Sequence, residues 1–267
     1  MNIILNNGVE MPALGYGTYA MRQNEVLKAL EVGYRHLDTA EGYGNEEEVA
    51  AAIATSGISR KDIFITTKVG NGAQRSDKVL ETFEASLKRL NTDYVDMYLI
   101  HWPVKESYIK TWQVFEEIYK SGKARAIGLS NFHEHHINDL KAIWSIVPAT
   151  NQIELHPRLT QKPLVSFCHD LGISITAYSP LGLFRIDAES YETIEKLSEK
   201  YGKTSAQIVL RWAIDQNIIT IPRTKTLDRV KENFNVFDFK LEQEDIKLID
   251  LLNTNTRTNA DPDNFNF

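Results

Sequence analysis

An alternation runs through the whole chain. Short apolar runs end in small or polar residues, and each gives way to a longer stretch in which charges separate apolar positions at helical spacing. After a small opening hairpin, Ile3-Ile4-Leu5 and Val9-Glu10-Met11 around the turn signal Asn6-Asn7-Gly8, eight strand candidates follow at residues 14–18, 36–39, 63–69, 95–101, 126–131, 150–154, 173–178 and 218–222. Helical patterns begin near Glu46, Asp77, Tyr108, Glu134, Gln161, Ser190 and Leu227. In one of them Val79, Leu80, Phe83, Leu87 and Leu90 form a single apolar stripe suited to packing on a sheet. Strand and crossover helix repeated this often permit either an open doubly wound sheet or a closed barrel. The first run, Gly15-Tyr16-Gly17-Thr18-Tyr19-Ala20, lacks the third glycine of a doubly wound dinucleotide fold, which favours an α/β (β/α)8 TIM barrel with the N-terminal hairpin closing one end. The 267 residues suit one such barrel, of about 250 residues, so a single domain over residues 1–267 is expected.

Composition narrows the function classes. Thirty Lys and Arg against 36 Asp and Glu give a net charge of -6, which lacks the basic field that attracts a phosphate backbone, so nucleic acid is not an expected partner. The only cysteine, Cys168, has no partner for an intrachain disulfide and is expected to pack as a small apolar side chain. No apolar run approaches the roughly 20 residues needed to span a bilayer, and residues 1–9 lack a basic end followed by an apolar stretch. A cytoplasmic, monomeric protein acting on a small molecule, away from membranes, is the expectation.

Reacting groups in a β/α barrel sit at the carboxyl ends of the strands. The second run ends in Asp38, the third in Lys68 and the fourth in His101, with Tyr43 on the loop after Asp38. Each residue alone reads as a structural hydrogen-bonding group, but together they propose a chemistry. A tyrosine titrating near 10 donates a proton poorly unless a neighbouring ammonium favours its phenolate. Lys68 supplies that charge, Asp38 holds Lys68 protonated and aimed, and His101 orients an incoming oxygen toward the Tyr43 phenol as general acid. Asn45 and Glu48 are placed to form a capping box on the next helix and so to hold Tyr43 at the barrel mouth.

These residues lie within Asp38-Thr39-Ala40-Glu41-Gly42-Tyr43-Gly44-Asn45-Glu46, Lys68 and Leu99-Ile100-His101-Trp102-Pro103, which resemble the signatures of the aldo-keto reductases. Gly128-Leu129-Ser130-Asn131-Phe132, Asn151-Gln152-Ile153-Glu154-Leu155-His156-Pro157, Ala177-Tyr178-Ser179-Pro180-Leu181-Gly182 and Ile221-Pro222-Arg223-Thr224 continue the resemblance in family order, to about Asn253. The resemblance implies NADPH-dependent reduction of a small aldehyde, dicarbonyl or keto-sugar, with Tyr43 protonating the carbonyl oxygen. It also implies that Ser130, Asn131 and Gln152 hold the nicotinamide carboxamide and that Tyr178 stacks on the ring, although Tyr178 on its alternating run also fits a core aromatic. Backbone at Gly17 and Thr18, with the loop of Ser179 and Leu181, is implied to line the rest of the cofactor. Arg223, Thr224 and Arg229 stand at a strand end and a helix start suited to the 2′-phosphate of NADPH, with Glu232 and Asn233 matching residues near the phosphate and adenine.

Tyr19, where many relatives carry tryptophan, and Trp102 are expected as opposite walls of the carbonyl pocket. A missing tryptophan beyond Lys68, in Val69-Gly70-Asn71-Gly72-Ala73, and a short tail after Asn253 suggest an open pocket. The run His133-Glu134-His135-His136 reads as a solvated helix start, Asp261-Pro262-Asp263 as a turn, and no metal site is expected. Trp112 and Trp144 read as packing residues. Two other readings remain: Schiff-base chemistry on Lys68, and a reductase-like barrel that binds cofactor as a regulatory subunit.

Overall fold

A computed structural model describes residues 1–182 and 188–267 of the chain. Residues Asn2–Ile4 (β1) and Glu10–Pro12 (β2) form the antiparallel hairpin. Eight parallel strands follow in one sheet: Tyr16–Gly17 (β3), His36–Asp38 (β4), Phe64–Val69 (β5), Val95–Ile100 (β6), Ala124–Ser130 (β7), Thr150–Glu154 (β8), Ser174–Tyr178 (β9) and Ile219–Thr220 (β10). Spatial order equals chain order from β3 to β10. The ends of the sheet also meet, because Leu14 bridges Thr220 in parallel, Gly15 N–H donates to Thr220 O at 2.8 Å and Gly17 N–H to Pro222 O at 3.1 Å. The sheet is thereby closed into the expected barrel, with no free edge.

Close approach inside the barrel explains two glycines. A Cβ at Gly15 would stand 2.3 Å from His36 Nδ1, and one at Gly128 2.6 Å from Thr150 O, so neither position accepts a side chain. The hairpin covers the amino-terminal end of the barrel: Asn6 Nδ2 donates to Pro148 O ahead of β8, Asn7 Nδ2 donates to Arg125 O in β7, and Ile3, Leu5 and Met11 are buried. Among the described residues this leaves the carboxyl end of the barrel as the uncovered one.

The outer layer contains Gln23–Val32 (α1), Glu46–Ser56 (α2), Asn71–Arg75 (α3), Val79–Arg89 (α4), Tyr108–Lys120 (α5), Glu134–Lys141 (α6), Lys162–Asp170 (α7), Ala188–Tyr201 (α8), Ser205–Asp215 (α9), Leu227–Phe234 (α10) and Gln243–Asp250 (α11). Of these, α1, α3, α9 and α11 are absent from the sequence expectation. In α9 residues 206–214 are all buried, the polar Gln207 and Arg211 among them, so burial there does not follow residue type. The expected Asn45–Glu48 capping box does not form. The Asn45 side chain instead bonds Thr39 Oγ1, Thr18 O and Met21 O, while Glu48 accepts from Gln23 N–H and Arg22. Asn45 thus ties the loop bearing Tyr43 to the end of β3, a tertiary restraint where a local one was expected.

Candidate active site

Asp38, Lys68 and His101 from the strand ends and Tyr43 from its loop meet at the carboxyl mouth of the barrel. Lys68, wholly buried on β5, donates from Nζ to Asp38 Oδ1 at 2.5 Å, to Thr39 O at 2.9 Å and to the Tyr43 hydroxyl at 3.5 Å. Gln152 Nε2 donates to the other Asp38 oxygen at 2.7 Å, so both carboxylate oxygens are held. Tyr43 lies in a short 3-10 turn, Glu41–Tyr43, which turns back at Gly44 with φ of 63°. Its ring is packed edge-on between Tyr19, at 5.1 Å, and His101, at 5.7 Å between centroids. The backbone of His101 is fixed from β7, since Asn131 Nδ2 donates to His101 O at 3.0 Å.

Burial and charge set the protonation states. Burial pulls Lys68 downward, but Asp38 and Tyr43 more than offset it and raise Lys68 above its ordinary 10.5, so the amine stays an ammonium. Burial raises the Tyr43 phenol above its ordinary 10.0, with Lys68 opposing. The sequence expectation therefore has the correct sign for the Lys68 contribution but not for the net shift: the phenol is kept protonated, and the ammonium stands where a phenolate charge would develop. Burial first and the Lys68 charge second press His101 down to about 3, so it is a neutral imidazole offering a single N–H. The set can deliver a proton from an uncharged acid and absorb the resulting charge. It cannot present Lys68 as a free amine.

From this corner a cavity of about 1000 Å³ runs across the barrel mouth. Gly17, Thr18, Tyr19, Ser130, Asn131, Gln152, Tyr178, Ser179, Leu181, Arg223, Thr224, Arg229, Glu232 and Asn233 all line it, so every residue expected to hold a cofactor faces one space. Trp102 lines it as well, backed by Phe265 and Phe267, each at 5.1 Å. The short tail itself thus supplies the backing of that wall. Glu154, at the end of β8, accepts from the amides of Thr258 at 2.7 Å and Asn259 at 3.2 Å, which draws the tail back over the mouth.

Comparison with known proteins gives this arrangement a context. The Aldo/keto reductase family model matches residues 13–254. The chain belongs to this family. It is 45% identical to the glyoxal reductase of Bacillus subtilis, covering 98% of this chain and 96% of that protein. Among solved structures, MGS-M4, an aldo-keto reductase from a deep-sea metagenome library, superposes with a TM-score of 0.95 at 43% identity, covering 99% of this chain and 100% of that one. A Bombyx mori aldo-keto reductase solved in complex with NADP gives a TM-score of 0.90 at 36% identity, covering 98% of this chain and 96% of the other.

In this aldo-keto reductase the groups along the cavity are prepared to different degrees. Both N–H groups of the Asn131 amide are engaged, on His101 O and Ser130 Oγ, while its oxygen accepts from the Tyr178 hydroxyl at 2.7 Å and keeps a second lone pair. Asn131 and Ser179 both hold positive φ, 66° and 48°, so the β7 and β9 ends turn sharply where they meet the cavity. At the far end Arg223 donates to Tyr19 O at 3.1 Å with its guanidinium over the Tyr19 ring, and Glu232 is held by the Thr204 hydroxyl at 2.6 Å. The first turn of α10 has no side-chain cap, which leaves its amides suited to an anion. Thr204, Ser205, Ala206 and Asn259 also line the cavity and were missed in the sequence. For the first three the signal existed: Thr204-Ser205-Ala206-Gln207 is a capping box, and it forms as such.

Proposed function

We propose that this aldo-keto reductase uses NADPH to reduce the carbonyl of small aldehydes, dicarbonyls or keto-sugars to alcohols, with Tyr43 as general acid. NADPH, when bound, supplies the hydride that reaches the carbonyl carbon. The neutral His101 N–H hydrogen-bonds the carbonyl oxygen and directs it toward the Tyr43 hydroxyl. As that oxygen gains negative charge, the Tyr43 proton moves onto it, and the phenolate left behind is stabilised by the Lys68 ammonium. Asp38 keeps Lys68 charged and aimed, and solvent returns the proton to Tyr43. Ser130, Asn131, Gln152 and Tyr178 would hold the nicotinamide end, Gly17, Thr18, Ser179 and Leu181 the middle, and Arg223, Thr224, Arg229, Glu232 and Asn233 the adenosine phosphate end.

The observation that carries this reading is the chain of contacts from Asp38 through the buried Lys68 Nζ to the Tyr43 hydroxyl. The same chain weighs against Schiff-base chemistry, which needs an accessible, neutral amine, whereas Lys68 is enclosed and cationic. The glyoxal reductase relative and the aromatic walls Tyr19 and Trp102 support small carbonyl substrates.

Turnover of glyoxal, methylglyoxal, benzaldehydes and keto-sugars, followed at the reduced-nicotinamide absorbance band, tests the proposal. Tyr43→Phe should lower kcat by about 10²- to 10⁴-fold and leave the Kd for NADPH nearly unchanged. Wild-type turnover in that variant would overturn the acid. Tight NADPH binding without turnover on any substrate would instead favour a regulatory role.

A further inference from the structure

The tail that backs Trp102 brings together two sequence features that lie 125 residues or more apart. At the start of α6, His133, His135 and His136 converge on Asp263. His135 Nε2 stands 3.3 Å and His136 Nε2 3.7 Å from Asp263 Oδ1, and the donor atoms of the three residues lie within 4.8 Å of one another. The two imidazole rings are 3.8 Å apart. Asp263 is presented by a turn in which its own amide donates to Asp261 Oδ1 and that of Asn264 to Asp261 O, while Pro262 between them is buried.

We propose that His135, His136 and Asp263 form a binding site for a divalent transition-metal ion, which fastens the C-terminal tail to α6. A tetrahedral ion with ligands at about 2.0–2.1 Å separates neighbouring ligand atoms by roughly 3.4 Å, a spacing bracketed by the two His–Asp distances here. Two imidazoles and one carboxylate suit zinc, nickel, cobalt or copper, and not magnesium or calcium, which take all-oxygen sets. Solvent completes the coordination.

His133 orients the carboxylate and is not itself a ligand. Its Nε2 stands 2.8 Å from Arg257 Nη2, and a guanidinium can only donate, so the proton of the neutral ring sits on Nδ1. That proton points at Asp263 Oδ2, 2.8 Å away, leaving Oδ1 for the ion. His136 must change on loading. Its Nδ1 accepts the His133 amide at 3.2 Å, so ligation through Nε2 moves the ring proton to Nδ1 and opens this bond. No proton is gained or lost in that exchange. The ion is thereby set two residues before Phe265 and four before Phe267, the rings that back the cavity wall at Trp102. Metal occupancy and the order of that wall are then linked.

Calorimetric titration of tag-free, full-length protein with zinc chloride and nickel chloride, with magnesium chloride as control, tests the site. One equivalent of zinc or nickel should bind saturably, magnesium should not, and Asp263→Asn and His135→Gln should each weaken binding tenfold or more. Both substitutions are at exposed positions. Hydrogen exchange of residues 255–267 should slow on zinc addition in the wild type and not in Asp263→Asn. Absence of saturable binding, binding unchanged by both substitutions, or binding that leaves tail exchange unaltered would overturn the proposal. None of these readouts uses the reduction reaction, so its failure and that of the proposed activity are distinguishable.

Discussion

The two ends of the cavity are built on different principles. At the proposed chemical end, Lys68 and Asp38 are buried on adjacent strands, every oxygen of Asp38 is engaged, and the positions are inherited from the sheet register. At the basic end, Arg223 and Arg229 are exposed, carried on a loop and on the first turn of α10, and Arg223 rests on the Tyr19 carbonyl. The difference teaches where each kind of work belongs. A proton donor must be fixed to a fraction of an ångström in a low dielectric, where one charge strongly shifts another. A phosphate clamp has only to supply charge and forks, and it tolerates rearrangement as the ligand arrives.

The comparison breaks first if the buried pair proves dispensable. Lys68→Met leaves the Asp38 carboxylate enclosed without its counter-charge, and urea denaturation should show a loss of about 3–5 kcal/mol. A loss under 1 kcal/mol would mean that water or rearrangement reaches that corner, contrary to the burial of Lys68.

A smaller effect comes from His36, wholly buried beneath Asp38, which burial lowers from 6.5 to about 4. Below pH 6.5 the unfolded chain takes up a proton that the folded chain refuses, so stability falls as the pH drops from about 6.5 toward about 4 and is full above 6.5. Between pH 6.5 and 5 the loss is roughly 2 kcal/mol from this group. Thermal melts over that range should show the decline, and His36→Gln should make it shallower by about that amount, since His101 and His136, also lowered by burial, contribute the rest of the slope. An unchanged slope in the variant would assign the acid limb to other groups.

The basic end should respond least to such changes and most to salt. Replacing Arg223 or Arg229 with alanine should raise the KM for NADPH about tenfold, equivalent to about 1.4 kcal/mol, and change that for NADH little. Raising ionic strength should weaken wild-type NADPH binding in the same direction, because exposed charges are screened. Equal losses for both cofactors would remove the 2′-phosphate from the argument.

Much of this was legible in the chain. Strand ends at Asp38, Lys68 and His101 followed from runs of apolar residues closed by a polar one, and the motifs around Ser130-Asn131 and Arg223-Thr224 placed residues that do line one cavity. What escaped has identifiable causes. In α9 even Gln207 and Arg211 are buried, which residue type does not announce, and Asn45 spent its side chain on Thr18 and Met21 in place of its own helix. The sign of the net shift at Tyr43 depended on how deeply the ring is enclosed, which no spacing reveals.

By itself the sequence determined the repeated alternation of strand and helix, because hydrophobic period is local and recurs along the chain, and it determined which residue types stand at the strand ends, while the missing third glycine after the first run only favoured a barrel over an open sheet. Only the tertiary structure decided how near Lys68 Nζ comes to Tyr43, and that Asp263 meets three histidines while Phe265 and Phe267 meet Trp102. Those contacts join residues far apart in the chain, so they depend on closure of the barrel and the return of the tail, and electrostatic and packing energies that fall steeply with distance are set by that closure alone.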